Sequence, residues 1–304
     1  MKVEIFGKTA TDEEVHAIRL ENENGYINDT VSMGATVGRV ANRISNARFK
    51  LNNQEYILPA NFGIHHLHGN HCLSKRVWKY ETFCLQNAER VKLTTSSFDG
   101  EFGYPGDVDF AVTYTLNSKD QLIIQFKATN QSPVQTIVNM TNHSYFNLEE
   151  SATIFEHTLK ADCNAYLPVD NVGLVTGEKK ELDGVFEGIP QGITFKNIVK
   201  SGIVDIDNDL IKRENNGALT LESPNSGLKM TITTTYPIFH IYCSQHFENI
   251  HGKNGKSYGK CCAVAIEPQK YSNAINLVSH ISLKNLIHLP SHLIYYFCVF
   301  KFNL

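Results

Sequence analysis

Four short segments carry ionisable side chains among Gly, Asn and aromatic residues, where packing alone is the weakest explanation. Glu267 follows the apolar run Ala263-Val264-Ala265-Ile266 and precedes Pro268, which should set it where a strand leaves the sheet. A carboxylate at such a rim is commonly just exposed. Enclosed in a cleft, its pKa would rise and it could act as a general base. Thr141-Asn142-His143-Ser144-Tyr145-Phe146-Asn147-Leu148 places one histidine in a run of amides, hydroxyls and rings. A histidine between Asn and Ser is more often a satisfied structural residue, yet this composition suits a polar pocket with stacking walls, such as one for a sugar. In Gly38-Arg39-Val40-Ala41-Asn42-Arg43-Ile44 two arginines lie four apart. Both read as a solvated or ion-paired face, or Arg43, beside Asn42, presents a donor fork to substrate oxygens.

Ile64-His65-His66-Leu67-His68-Gly69-Asn70-His71 holds four histidines. Imidazole is the commonest metal ligand, so zinc is the obvious thought. On a strand, however, His66 and His68 share a face while His65 points away, and nothing announces a third ligand. No metal site is expected. The alternative is that His68, beside Gly69, hydrogen-bonds a ligand while its neighbours are surface.

β-structure must position these groups. From Asp107 to Leu116 the chain alternates, placing Val108, Phe110, Val112, Tyr114 and Leu116 on one side of a strand. Asn117-Ser118-Lys119-Asp120 supplies turn chemistry, and Leu122, Ile124, Phe126 and Ala128 alternate again as the return arm of a hairpin. The pattern recurs. Ala47 to Pro59 breaks at Asn52-Asn53, Thr82 to Ser96 near Gln86-Asn87-Ala88, and Ala218 to Thr235 at Pro224-Asn225-Ser226-Gly227. No window of ten or more residues shows an apolar stripe of helical period, and no linker or short-period repeat divides the chain. The expectation is an all-β fold, one large antiparallel β-sandwich, with residues 1–304 forming a single domain.

Composition removes other classes. Lys plus Arg number 28 against 31 Asp plus Glu, a formal net charge of −3 over 304 residues, without the basic excess of a nucleic-acid or anionic-membrane binder. Hydrophobic content of 42% with 19% charged residues excludes disorder. No stretch reaches the roughly 18 to 20 apolar residues of a membrane span, and the charged start Met1-Lys2-Val3-Glu4 lacks a signal core, so a cytoplasmic location is expected. Seven cysteines form an odd set with no CxxC pair, which reads as reduced, mostly buried thiols.

Six segments together resemble the aldose 1-epimerases, the galactose mutarotases: Gly38-Arg39-Val40-Ala41-Asn42-Arg43-Ile44, Leu67-His68-Gly69, Phe102-Gly103-Tyr104-Pro105-Gly106, Asn142-His143-Ser144-Tyr145-Phe146-Asn147-Leu148, Tyr166-Leu167-Pro168-Val169-Asp170 and Glu267-Pro268-Gln269. They occur in the family's order, and the resemblance covers nearly the whole chain, from about Glu4 to Phe302. The resemblance implies a galactose mutarotase-like supersandwich, an isomerase that uses no cofactor, and an aldose such as galactose or glucose as its small-molecule partner. A monomer or homodimer is expected. Glu267 resembles the family's general base and His143 its general acid, while His68, Arg43 and Asn42 resemble groups that bind the sugar. In Val204-Asp205-Ile206-Asp207-Asn208-Asp209, Asp207 best matches the family's hydroxyl-holding Asp, with Asp205 the alternative. His240 falls where many relatives have Gln and is taken as a substrate contact.

Departures from the family are Asn70 in place of a second Gly, a shortened link from His71 to Trp78, the absence of a Pro-Gly-Glu turn around Ile287 to Leu293, and the absence of a Phe-Asp-Phe segment in Leu182 to Gly188. Three other readings stay open. A glycoside hydrolase would pair Glu267 with an acidic residue between Asp205 and Asp209. A non-catalytic sugar-binding module would keep the aromatics without needing His143 opposite Glu267. A phosphosugar epimerase would carry extra Arg or Lys at its pocket, and Lys75 with Arg76 is the nearest cluster, read here as surface.

Overall fold

Asn52 and Asn53 both take left-handed backbone angles, φ 51° and 62°, as a two-residue type I′ hairpin requires, and they join strand Arg48–Leu51 to Gln54–Ile57. The other three expected hairpins are also present: Lys79–Leu85 with Ala88–Ser97, Val108–Asn117 with Gln121–Asn130, and Leu219–Glu222 with Lys229–Thr234. Asn117 closes its own turn, since its side-chain oxygen accepts from the backbone N–H of Lys119 at 3.0 Å. A computed structural model describes residues 2–8, 14–19, 31–200, 206–213, 217–251, 256–277, 287–288 and 293–303. Among these the one α-helix is Phe195–Lys200, and no helix is long and apolar enough to cross a membrane.

Two antiparallel sheets carry the architecture. The nine-stranded sheet runs Ile193–Thr194, Thr158–Ala161, Leu219–Glu222, Lys229–Thr234, Leu293–Asn303, Gln121–Asn130, Val108–Asn117, Ala88–Ser97, Lys79–Leu85. The six-stranded sheet runs Tyr145–Phe146, Val264–Gln269, Ile238–Tyr242, Asp207–Lys212, Cys163–Leu167, Lys180–Glu181. They pack face to face. Phe110, Val112 and Phe126 of the large sheet share one apolar core with Leu210, Phe239, Ile241, Val264 and Ile266 of the small one.

Because strand side chains alternate, the residues between those core positions face away from the large sheet. Those residues are Asp207, Asp209, His240 and Glu267, together with Ala165, Leu167, Ile211 and Ile238, which form a second apolar cluster with Val175. A third cluster, built from Val40, Ile44, Phe49, Leu58, Tyr104 and Ile275, belongs to the segments that hold Asn42 and Arg43.

Arg39 corrects the expectation of a solvated or ion-paired face. It is fully buried, and its guanidinium donates to Ser97 Oγ (2.9 Å), Ser97 O (2.8 Å), Phe98 O (2.9 Å) and Pro105 O (2.9 Å). The fork geometry that suits arginine to a ligand here ties the 38–44 segment to the large sheet and to the Phe102–Gly106 motif. Six of the seven cysteines are buried and all are free thiols, with Cys84 the exposed one.

Candidate active site

Register alone aligns the polar row. Asp209 lies directly opposite His240 on the neighbouring strand, and His240 lies directly opposite Glu267 on the next. Asp207, two residues before Asp209, falls on the same face. Glu267 therefore sits inside strand Val264–Gln269 and is 1% exposed, not at a rim where the strand leaves the sheet. The strand continues through Pro268 because the Tyr145–Phe146 neighbour pairs only with Ala265 and Val264, so the missing proline N–H breaks no ladder.

Short segments close over this row. Arg43 and Ile44 pair with Leu67 and His66, which brings Asn42 against His68. The contact is reciprocal: His68 N–H donates to Asn42 O at 3.0 Å, and Asn42 N–H donates to His68 Nδ1 at 3.2 Å. Asn42 and His68 both adopt left-handed φ, 61° and 52°, a strained conformation held by these bonds. Gly69 fits because any side chain there would overlap the Gly38 carbonyl. His143 follows strand Thr141–Asn142, which pairs with Thr36–Val37, and the His143 backbone is fastened to Ala35 and Gly34.

The side chains meet as follows. His143 Nε2 is 3.3 Å from Glu267 Oε1. Arg43 Nη2 donates to Asp207 Oδ2 at 2.9 Å, and His240 Nε2 is 2.9 Å from Asp207 Oδ1. The His68 and His143 rings contact edge to face at 5.2 Å, and Tyr145 lies 5.0 Å from His143. Burial pushes the Glu267 carboxyl above its ordinary range, and the charges of His143 and His240 only partly oppose this. Burial also drives His68 well below the usual histidine value, aided by the neighbouring His143 and Arg43. A neutral His68 that accepts at Nδ1 carries its proton on Nε2, making that nitrogen a donor. Asp207 behaves oppositely. Burial would raise it, but the hydrogen bonds and charges of His240 and Arg43 hold it well below the carboxylate range.

Three buried atoms in this cluster lack a hydrogen-bond partner: Arg43 Nε, His143 Nδ1 and Glu267 Oε2. Buried polar groups are nearly always paired, so their concentration on facing residues is what a polyhydroxyl ligand would satisfy. All seven expected site residues, Asn42, Arg43, His68, His143, Asp207, His240 and Glu267, converge here. Asp205 lies outside the described residues, as does most of Ile287 to Leu293.

The four histidines of the 64–71 segment separate. His65 and His66 are buried, which corrects the reading that the neighbours of His68 are surface. His66 Nδ1 lies 2.7 Å from Pro59 O, and its Nε2 is 2.8 Å from Tyr104 Oη, while His71 Nδ1 sits against Ser74 Oγ. Lys75 is exposed as expected, whereas Arg76 is half-buried and paired with Glu101. Sequence reasoning missed Phe62, whose ring lies 4.9 Å under the Arg43 guanidinium, and Asp209, although its two-residue spacing from Asp207 placed both on one strand face.

The family described as Aldose 1-epimerase matches residues 8–285. An aldose 1-epimerase of Haemophilus influenzae is 31% identical over 252 residues, 78% of this chain and 71% of that one. A galactose mutarotase of Bos taurus is 32% identical over 260 residues, 83% of this chain and 74% of that one. A crystal structure of an aldose epimerase homologue from C. elegans superposes with a TM-score of 0.85 at 30% identity, covering 97% of this chain and 90% of that chain. A family match across most of the sequence and a shared antiparallel sandwich lead to one conclusion: the chain belongs to the aldose 1-epimerase family.

Proposed function

We propose that the protein interconverts the α and β anomers of aldoses such as galactose and glucose. The observation that carries this reading is the buried contact of His143 with Glu267, a proton donor beside a carboxylate whose affinity for protons is raised. Ring opening needs a proton removed from the anomeric hydroxyl and one delivered to the ring oxygen. Glu267 takes the first and His143 supplies the second. Rotation about C1–C2 of the open aldehyde and closure on its other face return both. Each placed acid or base contributes ~10² to 10⁴ in rate, so the pair suffices without a cofactor. His68 donates from Nε2 to a sugar oxygen, while Arg43, Asn42 and the Asp207 carboxylate hold hydroxyls, with His240 behind Asp207. Residues 1–304 act as one domain in this reading.

With Glu267 as the base, a hydrolase would need a second carboxyl group kept protonated as general acid. Asp207 is held as the anion by Arg43 and His240, which weighs against that role. Polarimetry tests the proposal. Freshly dissolved α-D-galactose and α-D-glucose should equilibrate faster with the protein than in buffer alone, and equally fast after exhaustive treatment with EDTA. A rate equal to buffer overturns the reading.

A further inference from the structure

Asp209 is buried in the floor of the site, yet neither the acid–base pair nor the sugar-holding carboxylate explains it. Its Oδ1 accepts from His240 Nδ1 at 2.8 Å and from Ser272 Oγ at 3.0 Å, and its Oδ2 accepts from Ser272 N–H at 2.9 Å. The other ring nitrogen of His240, Nε2, faces Asp207 Oδ1 at 2.9 Å. A histidine with a carboxylate at each nitrogen donates from both, which only the imidazolium can do. The second oxygen of Asp207 takes Arg43. The result is an unbroken chain, Ser272 to Asp209 to His240 to Asp207 to Arg43, in which a buried and a partly buried carboxylate that would repel one another are bridged by a cation.

We propose that Asp209 is a positioning residue for sugar binding: it holds His240 as a doubly donating imidazolium, which in turn fixes the Asp207 carboxylate against the sugar hydroxyls. This rests on the sugar-binding role proposed for Asp207. The charged and titratable groups around His240 are Asp207 and Asp209 from one neighbouring strand, Glu267 from the other, and Arg43, His68 and His143 from the covering segments. Burial opposes the charge on His240, but the hydrogen bonds it donates to the two Asp carboxylates, with their charges, outweigh it and lift the pKa to about 10. Removing the Asp209 charge leaves one carboxylate to oppose burial, so the His240 titration moves down.

The test combines imidazole NMR titration, with the His240 signal assigned by its loss in His240→Gln, and anomerisation kinetics. In the wild type, His240 should stay charged through neutral pH and titrate far above ordinary histidine. Asp209→Asn should lower that titration by roughly one pH unit or more. It should also raise KM for galactose ~10-fold while kcat stays within about threefold, since Asp207 holds the sugar in ground and transition states alike. The double variant Asp209→Asn with His240→Gln replaces the charged pair by two amides of similar reach, and should recover KM to within about threefold of wild type, better than either single change. A merely structural Asp209 would show no such recovery. If Asp209→Asn fails to fold, Ser272→Ala keeps the charge but removes a donor to Asp209, and should raise KM by about two- to threefold. A wild-type His240 that titrates in the ordinary range, an unchanged KM in the folded variant, or a double variant no better than the worse single one would overturn the proposal. A wild type with no anomerisation would instead remove the parent reading, because the NMR titrations need no turnover.

Discussion

Water exclusion gives Glu267 its chemistry and makes it a liability to the fold. Its charged form is disfavoured by burial, so the carboxylate binds a proton more avidly than an exposed one would, as a general base should. Glu267→Gln keeps the shape and removes the basic oxygen, so kcat measured by polarimetry should fall ~10²-fold or more, with a smaller change in KM. His143→Asn should do the same, whereas His68→Asn should damage KM at least as much as kcat. The acidic limb of kcat/KM should lie above the ordinary carboxylate range and disappear in Glu267→Gln. Folding raises the pKa of this group, so its contribution to stability is complete below the unfolded value and is lost as pH rises through the folded one. Glu267→Gln should therefore melt at or above the wild-type temperature at neutral pH, and near-normal turnover in it would pass the base role to another group.

At the scale of elements, three adjacent strands align the floor of the site, and a tight turn braces its wall. Asp170 accepts from the N–H groups of Val172 and Leu174, forming the turn that presents Gly173 to the Arg43 guanidinium. Gly173 has φ 74°, and a Cβ there would lie 2.8 Å from Arg43 Nη2. Gly173→Ala is thus doubly unfavourable, and should raise KM ~10-fold by displacing Arg43 while thermal stability drops by ~1 kcal/mol. An unchanged KM would show that Arg43 can move without loosening the sugar. The hairpins were legible in the sequence because period-two alternation and Asn-rich turns are local signals. Gly173 and Asp209 were not, since their meaning depends on Arg43 and His240, far away in the chain. Arg39 was misread for the same reason: its acceptors at Ser97 and Pro105 are 58 and 66 residues distant.

At the scale of the whole molecule, Lys270 is a buried amine set against the core. It is 4% exposed, its Nζ is 5.0 Å from the Tyr296 ring centre and 3.4 Å from Val138 O, and burial lowers its pKa from 10.5 to about 7. A lysine depressed in the folded state costs stability wherever the unfolded chain would be protonated. The penalty is absent above about pH 10.5, grows as pH falls, and is complete below about pH 7. Lys270→Met should therefore stabilise the protein by ~3–5 kcal/mol at pH 6 and by much less at pH 10, read by denaturant titration at the two pH values. An equal effect at both would show that the amine keeps its ordinary pKa in the folded protein. The sandwich itself was readable from its strands, but the burial of Lys270 was not, because Lys270 follows Gln269 in what looks like an exposed exit from a strand. Core and site share the same three strands in alternating positions, Leu210 beside Asp209, Phe239 and Ile241 beside His240, Ile266 beside Glu267. A single-codon insertion or deletion in any of them would exchange the two sets, turning carboxylates into the hydrocarbon layer and emptying the site in one step. Length variation among descendants of this gene should therefore be confined to turns such as Pro224–Gly227, leaving these strands to diverge by substitution alone.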